Sequence, residues 1–167
     1  MTAPCFVDAN VLVYAYDPSE PLKREVAAAL LSRLWRESSG RTSIQALNEF
    51  YSVRTCKLAV RVDRAQAWAE LENFFQWNPR PLDPELLQSA RQIEQRYQLN
   101  WWDCLIVAAA QLQGCAVLYT EDLQHGAIFN GVRVVNPFLA EVHEEPALYR
   151  VEPVSRHRPR GRPRKVA

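Results

Sequence analysis

Apolar residues along this chain fall into two kinds of run: short unbroken stretches, and longer ones in which they recur every three or four positions. The unbroken runs at residues 5–7 and 116–119 read as strands, as does 132–135 with Arg133 inside it, because a strand covered on both faces shows little polar alternation. Residues 41–43 read as a further, minimal strand. Elsewhere the period is helical. Pro21 opens a helix in which Leu22, Val26, Ala29, Leu30 and Leu34 recur until Ser38-Ser39-Gly40 ends it. A helix over about residues 44–57 carries Ile44, Leu47 and Tyr51 along one face, with Leu58 following. Asp63 caps another that reaches Phe74-Phe75, and Pro79-Arg80-Pro81-Leu82 is an extended crossing. Asp83-Pro84, a cap followed by proline at the first helical position, starts a helix that runs to Tyr97. The last helix, from Trp102 to Gly114, is apolar from Cys104 to Ala110 and therefore has no solvent face.

Strands alternating with helices predict an α/β fold: a parallel β-sheet of about four to five strands flanked by helices on both faces. Sheets of this kind place their sites outside the carboxyl ends of the strands. From Asn136 onward the density of proline and charge rises. The expected division is a compact domain over residues 1–145, followed by a linker and disordered basic tail over residues 146–167.

Charge sharpens that division. The last 13 residues carry Arg156, Arg158, Arg160, Arg162, Arg164 and Lys165 with no acid. The other 154 residues hold 14 basic and 19 acidic side chains, a net of −5 that the overall +1 conceals. An acidic globule with a basic tail is two electrostatic objects. The cysteines (Cys5, Cys56, Cys104 and Cys115) form no CxxC pair and no Cys/His cluster, which argues against zinc and disulfides and for a cytoplasmic location. The apolar start lacks a basic leader and is interrupted by Asp8, so no signal peptide or membrane span is expected.

Four acids stand at the mouths of the predicted elements. Asp8 follows the first strand, Glu49 lies within QALNEFY, Asp103 opens the buried helix, and Asp122 follows the AVLYT strand in TEDLQHG. Each has an ordinary reading: Asp8 and Asp103 as helix caps, Glu49 as a surface charge, Asp122 as a turn residue. Glu49 resists that reading most, because Leu47, Phe50 and Tyr51 surround it. Asn10, Asn48, Thr120 and Glu121 read as supporting, capping or solvated neighbours, and His125 and His143 as structural or solvated residues. In a parallel α/β sheet the four acids can converge on one edge. Carboxylates crowded together cannot all stay ionised unaided. A hard divalent cation relieves the repulsion, and Mg²⁺ or Mn²⁺ prefers oxygen ligands of this kind. Carboxylates holding a hydrated metal are a standard device for phosphodiester cleavage.

FVDANVLVYAY, QALNEFY, WWDCLIVAAA and YTEDLQHG together resemble the four signature segments of PIN-domain ribonucleases, specifically VapC-type toxins of bacterial toxin–antitoxin pairs, in the family's order and over roughly residues 3–140. The resemblance implies an acidic pocket that binds Mg²⁺ or Mn²⁺ and cleaves RNA endonucleolytically, typically a structured RNA. It implies Asp8, Glu49, Asp103 and Asp122 as the metal-binding acids, with Thr120 assisting through water. It also implies a homodimer and a cognate antitoxin protein whose C-terminal segment occupies the acidic groove. Apolar helix faces are compatible with a dimer, and equally with a core.

The tail is not part of that pattern. Pro159-Arg160-Gly161-Arg162-Pro163, flanked by Arg158, Arg164 and Lys165, resembles the AT-hook. Prolines hold such a segment extended, and Gly161 lets the backbone approach the groove floor. Arg160 and Arg162 can then lie along the narrow minor groove of A·T-rich DNA. A basic tail can also bind any polyanion, RNA included, by counterion release. Arg54, Lys57, Arg61 and Arg64, and separately Arg91 and Arg96, could guide RNA phosphates or simply be solvated. Three readings therefore stand: a toxin-type ribonuclease, a nuclease brought to DNA by its tail, and a non-catalytic DNA-binding module.

Overall fold

The computed structural model describes residues 2–58, 61–139 and 149–150, so the tail residues Arg158, Arg160, Gly161, Arg162, Arg164 and Lys165 lie outside the described part. Within it the chain forms strands β1 (Cys5–Val7), β2 (Gly40–Arg41), β3 (Val117–Tyr119), β4 (Ala127–Phe129), β5 (Val132–Val135) and β6 (Tyr149–Arg150). They make one sheet in the order β2-β1-β3-β5-β4-β6. β1 runs parallel to β2 and β3, and β3 runs parallel to β5. In register, Val7 pairs with Tyr119 and Tyr119 with Val135, so these three strands finish level at one edge.

The sheet departs from the expected all-parallel form at β4, a strand the apolar-run reading omits. β4 pairs antiparallel with β5, with Phe129 opposite Val132. Asn130 and Gly131 connect them with φ of 50° and 86°. Positive φ at both central residues matches the twist of the flanking strands, and Asn-Gly is the sequence that adopts it most readily.

The helices are α1 (Ala9–Tyr14), α2 (Pro21–Arg36), α3 (Ile44–Ser52), α4 (Arg64–Asn73), α5 (Pro84–Tyr97) and α6 (Trp101–Leu112). The α3 helix stops short of the expected residue 57, and Val53–Lys57 continues as a single π-helical turn. One core lies on each sheet face. Phe6, Leu118 and Val134 pack with α5 and α6, whereas Cys5 and Val7 pack with α1 to α4. Burial on both faces is why β1 reads as an unbroken apolar run. Among the described residues no helix is long and apolar enough to cross a membrane, and the four cysteines are unpaired.

Two sequence expectations are corrected by packing. On α2 the buried stripe is Ala27, Leu30, Leu31 and Leu34, while Leu22 is 80% exposed and Val26 and Ala29 also face solvent. The helix carries two overlapping apolar rows, and contact with the sheet uses only one of them. Arg54 is not a surface cation. It is buried on the π-turn, with Nε and Nη2 donating to Glu70 at 2.8 and 2.9 Å and Nη1 donating to the Tyr16 carbonyl at 3.2 Å.

Gly40 shows how closely the second core is fitted. A Cβ there would fall 2.5 Å from Cζ2 and 2.7 Å from Cδ2 of the buried Trp77 ring. We expect Gly40→Ala to lower unfolding stability by about 1–3 kcal/mol through overpacking, read by denaturant melts. An unchanged midpoint would mean that the indole moves aside freely.

Candidate functional site

The level strand ends carry the site. The Asp8 amide donates to the Tyr119 carbonyl at 3.0 Å, and the Thr120 amide donates to Val135 at 3.1 Å. The parallel ladder thus continues one step past β1 and β3 and sets Asp8 beside Thr120. Asp8 caps α1, its Oδ1 accepting from the Ala9 amide at 2.7 Å, while its Oδ2 accepts from Thr120 Oγ1 at 2.9 Å. The Thr120 hydroxyl accepts in turn from Asn10 Nδ2 at 3.0 Å and from the Asp122 amide at 3.1 Å. Asn10 Nδ2 also donates to Asp122 Oδ2 at 3.0 Å. One buried hydroxyl and one amide side chain therefore tie two of the acids together across a sequence separation of more than a hundred residues.

Asp103 reaches the same region from α6, but it is not the helix cap. That role belongs to Asn100, whose Oδ1 accepts from the Asp103 amide at 3.0 Å and whose Nδ2 donates to Asp103 Oδ2. The Asp103 carboxylate is left free of the capping duty that its position in the first turn implied. Glu49 projects from α3, exposed between the buried Leu47 and Phe50. All four acids line one cavity of about 760 Å³. A smaller cavity of about 290 Å³ adjoins it, sharing Glu49 as a wall.

The electrostatics are those of crowded acids. Burial raises the Asp8 carboxyl to about 7 against an ordinary value of 3.8; the bonds from Thr120 and Ala9 oppose the rise, and Asp122 and Glu49 add to it. Loss of hydration also raises Glu49, with Asp122 and Asp103 adding and Lys57 opposing. Asp103 is raised by loss of hydration and by Asp122, against the Asn100 bond. Lys57 is the cation on this cavity's wall, so a residue that reads as a solvated charge in sequence faces the acids.

Other contributors are invisible to a linear reading. Glu121 accepts from Tyr14 Oη at 2.8 Å and from Lys23 Nζ at 2.7 Å, which fastens the Thr120–Asp122 turn to α1 and α2. Asn100 could have been read from its position three residues before Asp103, the spacing of an N-cap and its amide. Nothing local marks Lys23. His125 is structural as expected, its Nδ1 accepting from the Asn136 amide at 3.1 Å. Asp17 is buried too, but among the described residues its side chain accepts only from Ser19, a turn role.

The donor set is all oxygen. Among the described residues no three His, Cys, Asp or Glu side chains are gathered into a ready metal site. The acids instead line the walls of an open cavity. Oxygen donors alone suit a hard cation that keeps much of its water and takes one or two carboxylates directly. Zinc favours sets that include His or Cys, which this cavity lacks.

The family model of the PIN domain matches residues 5–128, a span that contains Asp8, Glu49, Asp103, Thr120 and Asp122. No curated protein matches the chain. PIN domains are generally metal-dependent nucleases, and a match over this much of the sequence leaves one assignment: the chain belongs to the PIN-domain family.

Proposed function

We propose that this protein is a Mg²⁺- or Mn²⁺-dependent endoribonuclease that acts as the toxin of a toxin–antitoxin pair and cuts structured RNA. The observation that carries the reading is the convergence of Asp8, Glu49, Asp103 and Asp122, from four separate segments, on one cavity. Asp8, Glu49, Asp103 and Asp122 would hold the cation. When bound, it would supply Lewis-acid activation of water and neutralise charge on the leaving oxygen. The protein's own groups prepare that chemistry. Thr120 and Asn10 fix the Asp8 and Asp122 carboxylates, Asn100 orients Asp103, and Lys57 offers a counter-charge to a substrate phosphate. A cognate antitoxin protein and a homodimer are the partners that the toxin resemblance implies.

A second reading is favoured by the tail alone. The PRGRP segment would bring the nuclease to A·T-rich DNA, or to RNA made beside it. Purified, antitoxin-free protein should be given total RNA and single- and double-stranded DNA with Mg²⁺, Mn²⁺ or EDTA. Discrete metal-dependent RNA fragments are expected. Cutting confined to DNA would promote the tail-guided reading, and folded protein that cuts nothing would leave a binding module.

Thr120 offers a finer check. Thr120→Val keeps the branched shape at a fully buried position but removes the donor to Asp8 and the acceptor of Asn10 and Asp122. We expect apparent Mg²⁺ affinity to fall about 10- to 100-fold, the usual effect of losing a group that orients a ligand. The rate against Mg²⁺ concentration measures it. An unchanged curve would reduce Thr120 to a packing residue.

A further inference from the structure

The acidic cavity has an apolar lip that the carboxylate chemistry does not use. Trp102 lies in the first turn of α6, one residue before Asp103, and is 66% exposed. Its neighbour Trp101 packs against the core, and from Cys104 to Ala110 the helix is buried. An indole buries 150–250 Å² when it packs, so one left in solvent forgoes a large hydrophobic gain. The Trp102 backbone is firmly placed. Gln45 Nε2 donates to its carbonyl at 3.3 Å, joining α3 to α6 across the cavity, and Asn100 caps the helix beneath it. Leu82, 55% exposed on the crossing before α5, lines the same cavity. The lining therefore joins acids and Lys57 to an exposed aromatic face and an aliphatic side chain.

Resting on the nuclease reading above, we propose that Trp102 is a stacking platform for an unpaired base next to the scissile phosphate. A nucleotide has the same two halves as the cavity. Its phosphate would be drawn to Lys57 and to a cation held by the acids, and its base has an apolar π-face. In a duplex that face is covered by neighbouring pairs, whereas loops, bulges and single strands can splay a base onto an aromatic side chain. Trp102 accordingly positions the nucleotide beside the cut. Because every base presents a π-face, Trp102 selects for strandedness rather than for sequence.

The test uses full-length protein and a mixed-sequence RNA 12-mer, single-stranded or annealed to its complement. Binding is measured by anisotropy in EDTA at low and high salt, and cleavage is measured with Mg²⁺. Trp102→Ala should weaken single-strand binding by about tenfold, an effect that persists at high salt because stacking is not electrostatic. Duplex binding should stay unchanged. In cleavage of the single strand the loss should fall on KM more than on kcat, and Trp102→Phe should restore most of it. The site is exposed, so thermal melts of both variants should match the parent. Parent-like single-strand affinity and KM in Trp102→Ala, with cleavage intact, would overturn the platform while leaving the nuclease standing, and would assign Trp102 to a protein contact. Equal losses on single strand and duplex would overturn the selectivity. Absence of metal-dependent cleavage by the parent would remove the nuclease reading and the platform with it.

Discussion

Asp103→Asn is expected to reduce metal-dependent RNA cleavage about a thousandfold or more and to leave the fold intact. Groups that merely orient a metal ligand are worth 10–100-fold, so removing a charged ligand itself exceeds that range. The substitution is separable from folding for a structural reason. The cap of α6 is supplied by Asn100, whose bond to the residue-103 amide does not involve the carboxylate. An asparagine oxygen can still accept from Asn100 Nδ2, and the buried stretch Cys104–Ala110 is untouched. Removing one charge from a repelling set leaves the metal-free protein no less stable. Single-turnover cleavage beside a thermal melt reads both quantities. Activity within tenfold of the parent, at equal stability, would exclude Asp103 as a ligand.

The second large effect is in pH. With Asp8 raised to about 7 from 3.8, the folded metal-free protein holds a proton that the unfolded chain has already released. Stability is therefore greatest on the acid side of that window and falls as pH rises from about 4 to about 7. The loss attached to Asp8 is at most on the order of 4 kcal/mol. Glu49 and Asp103, also raised, act in the same direction. Mg²⁺ competes with those protons, so its stabilising effect should be larger at pH 8 than at pH 6. Melting temperatures across that range, with EDTA and with Mg²⁺, measure both slopes. A metal-free melting temperature that is flat or rises between pH 5 and 7 would mean that the Asp8 carboxyl is ionised without assistance.

Such a site lowers stability in the metal-free state, and the rest of the molecule absorbs the strain by holding the acids from several sides. The ladder bonds beyond β1 and β3, the Thr120–Asn10 network, and the Glu121–Tyr14–Lys23 cluster all converge on the same sheet edge. Positions held this way keep like charges near one another when no cation is present, because Asp8 and Asp122 are fixed by bonds from Thr120 and Asn10 and Asp103 by its bond from Asn100.

The sequence by itself determined the α/β order and offered Asp8, Glu49, Asp103 and Asp122, at the mouths of its elements, as candidate acids. Those properties are written in periodicity, caps and spacing, which are local. Cys5–Val7, Pro84–Tyr97 and Val132–Val135 fall where the apolar pattern places them because burial on both faces, a Pro after a cap, and a strand period are all visible within a few residues. The β4–β5 hairpin was legible too, in Asn130-Gly131, but a three-residue strand gives too short an apolar run to stand out beside its neighbours. What only the tertiary structure decided depends on which of several equivalent options packing selects. It chose Ala27 and Leu31 over Leu22 and Val26 on α2, and turned Arg54 inward to Glu70. It left Trp102 in solvent beside Asp103. Each choice rests on contacts between residues far apart in the chain, and hydrophobic burial and charge pairing act on distance in space, which sequence spacing does not encode.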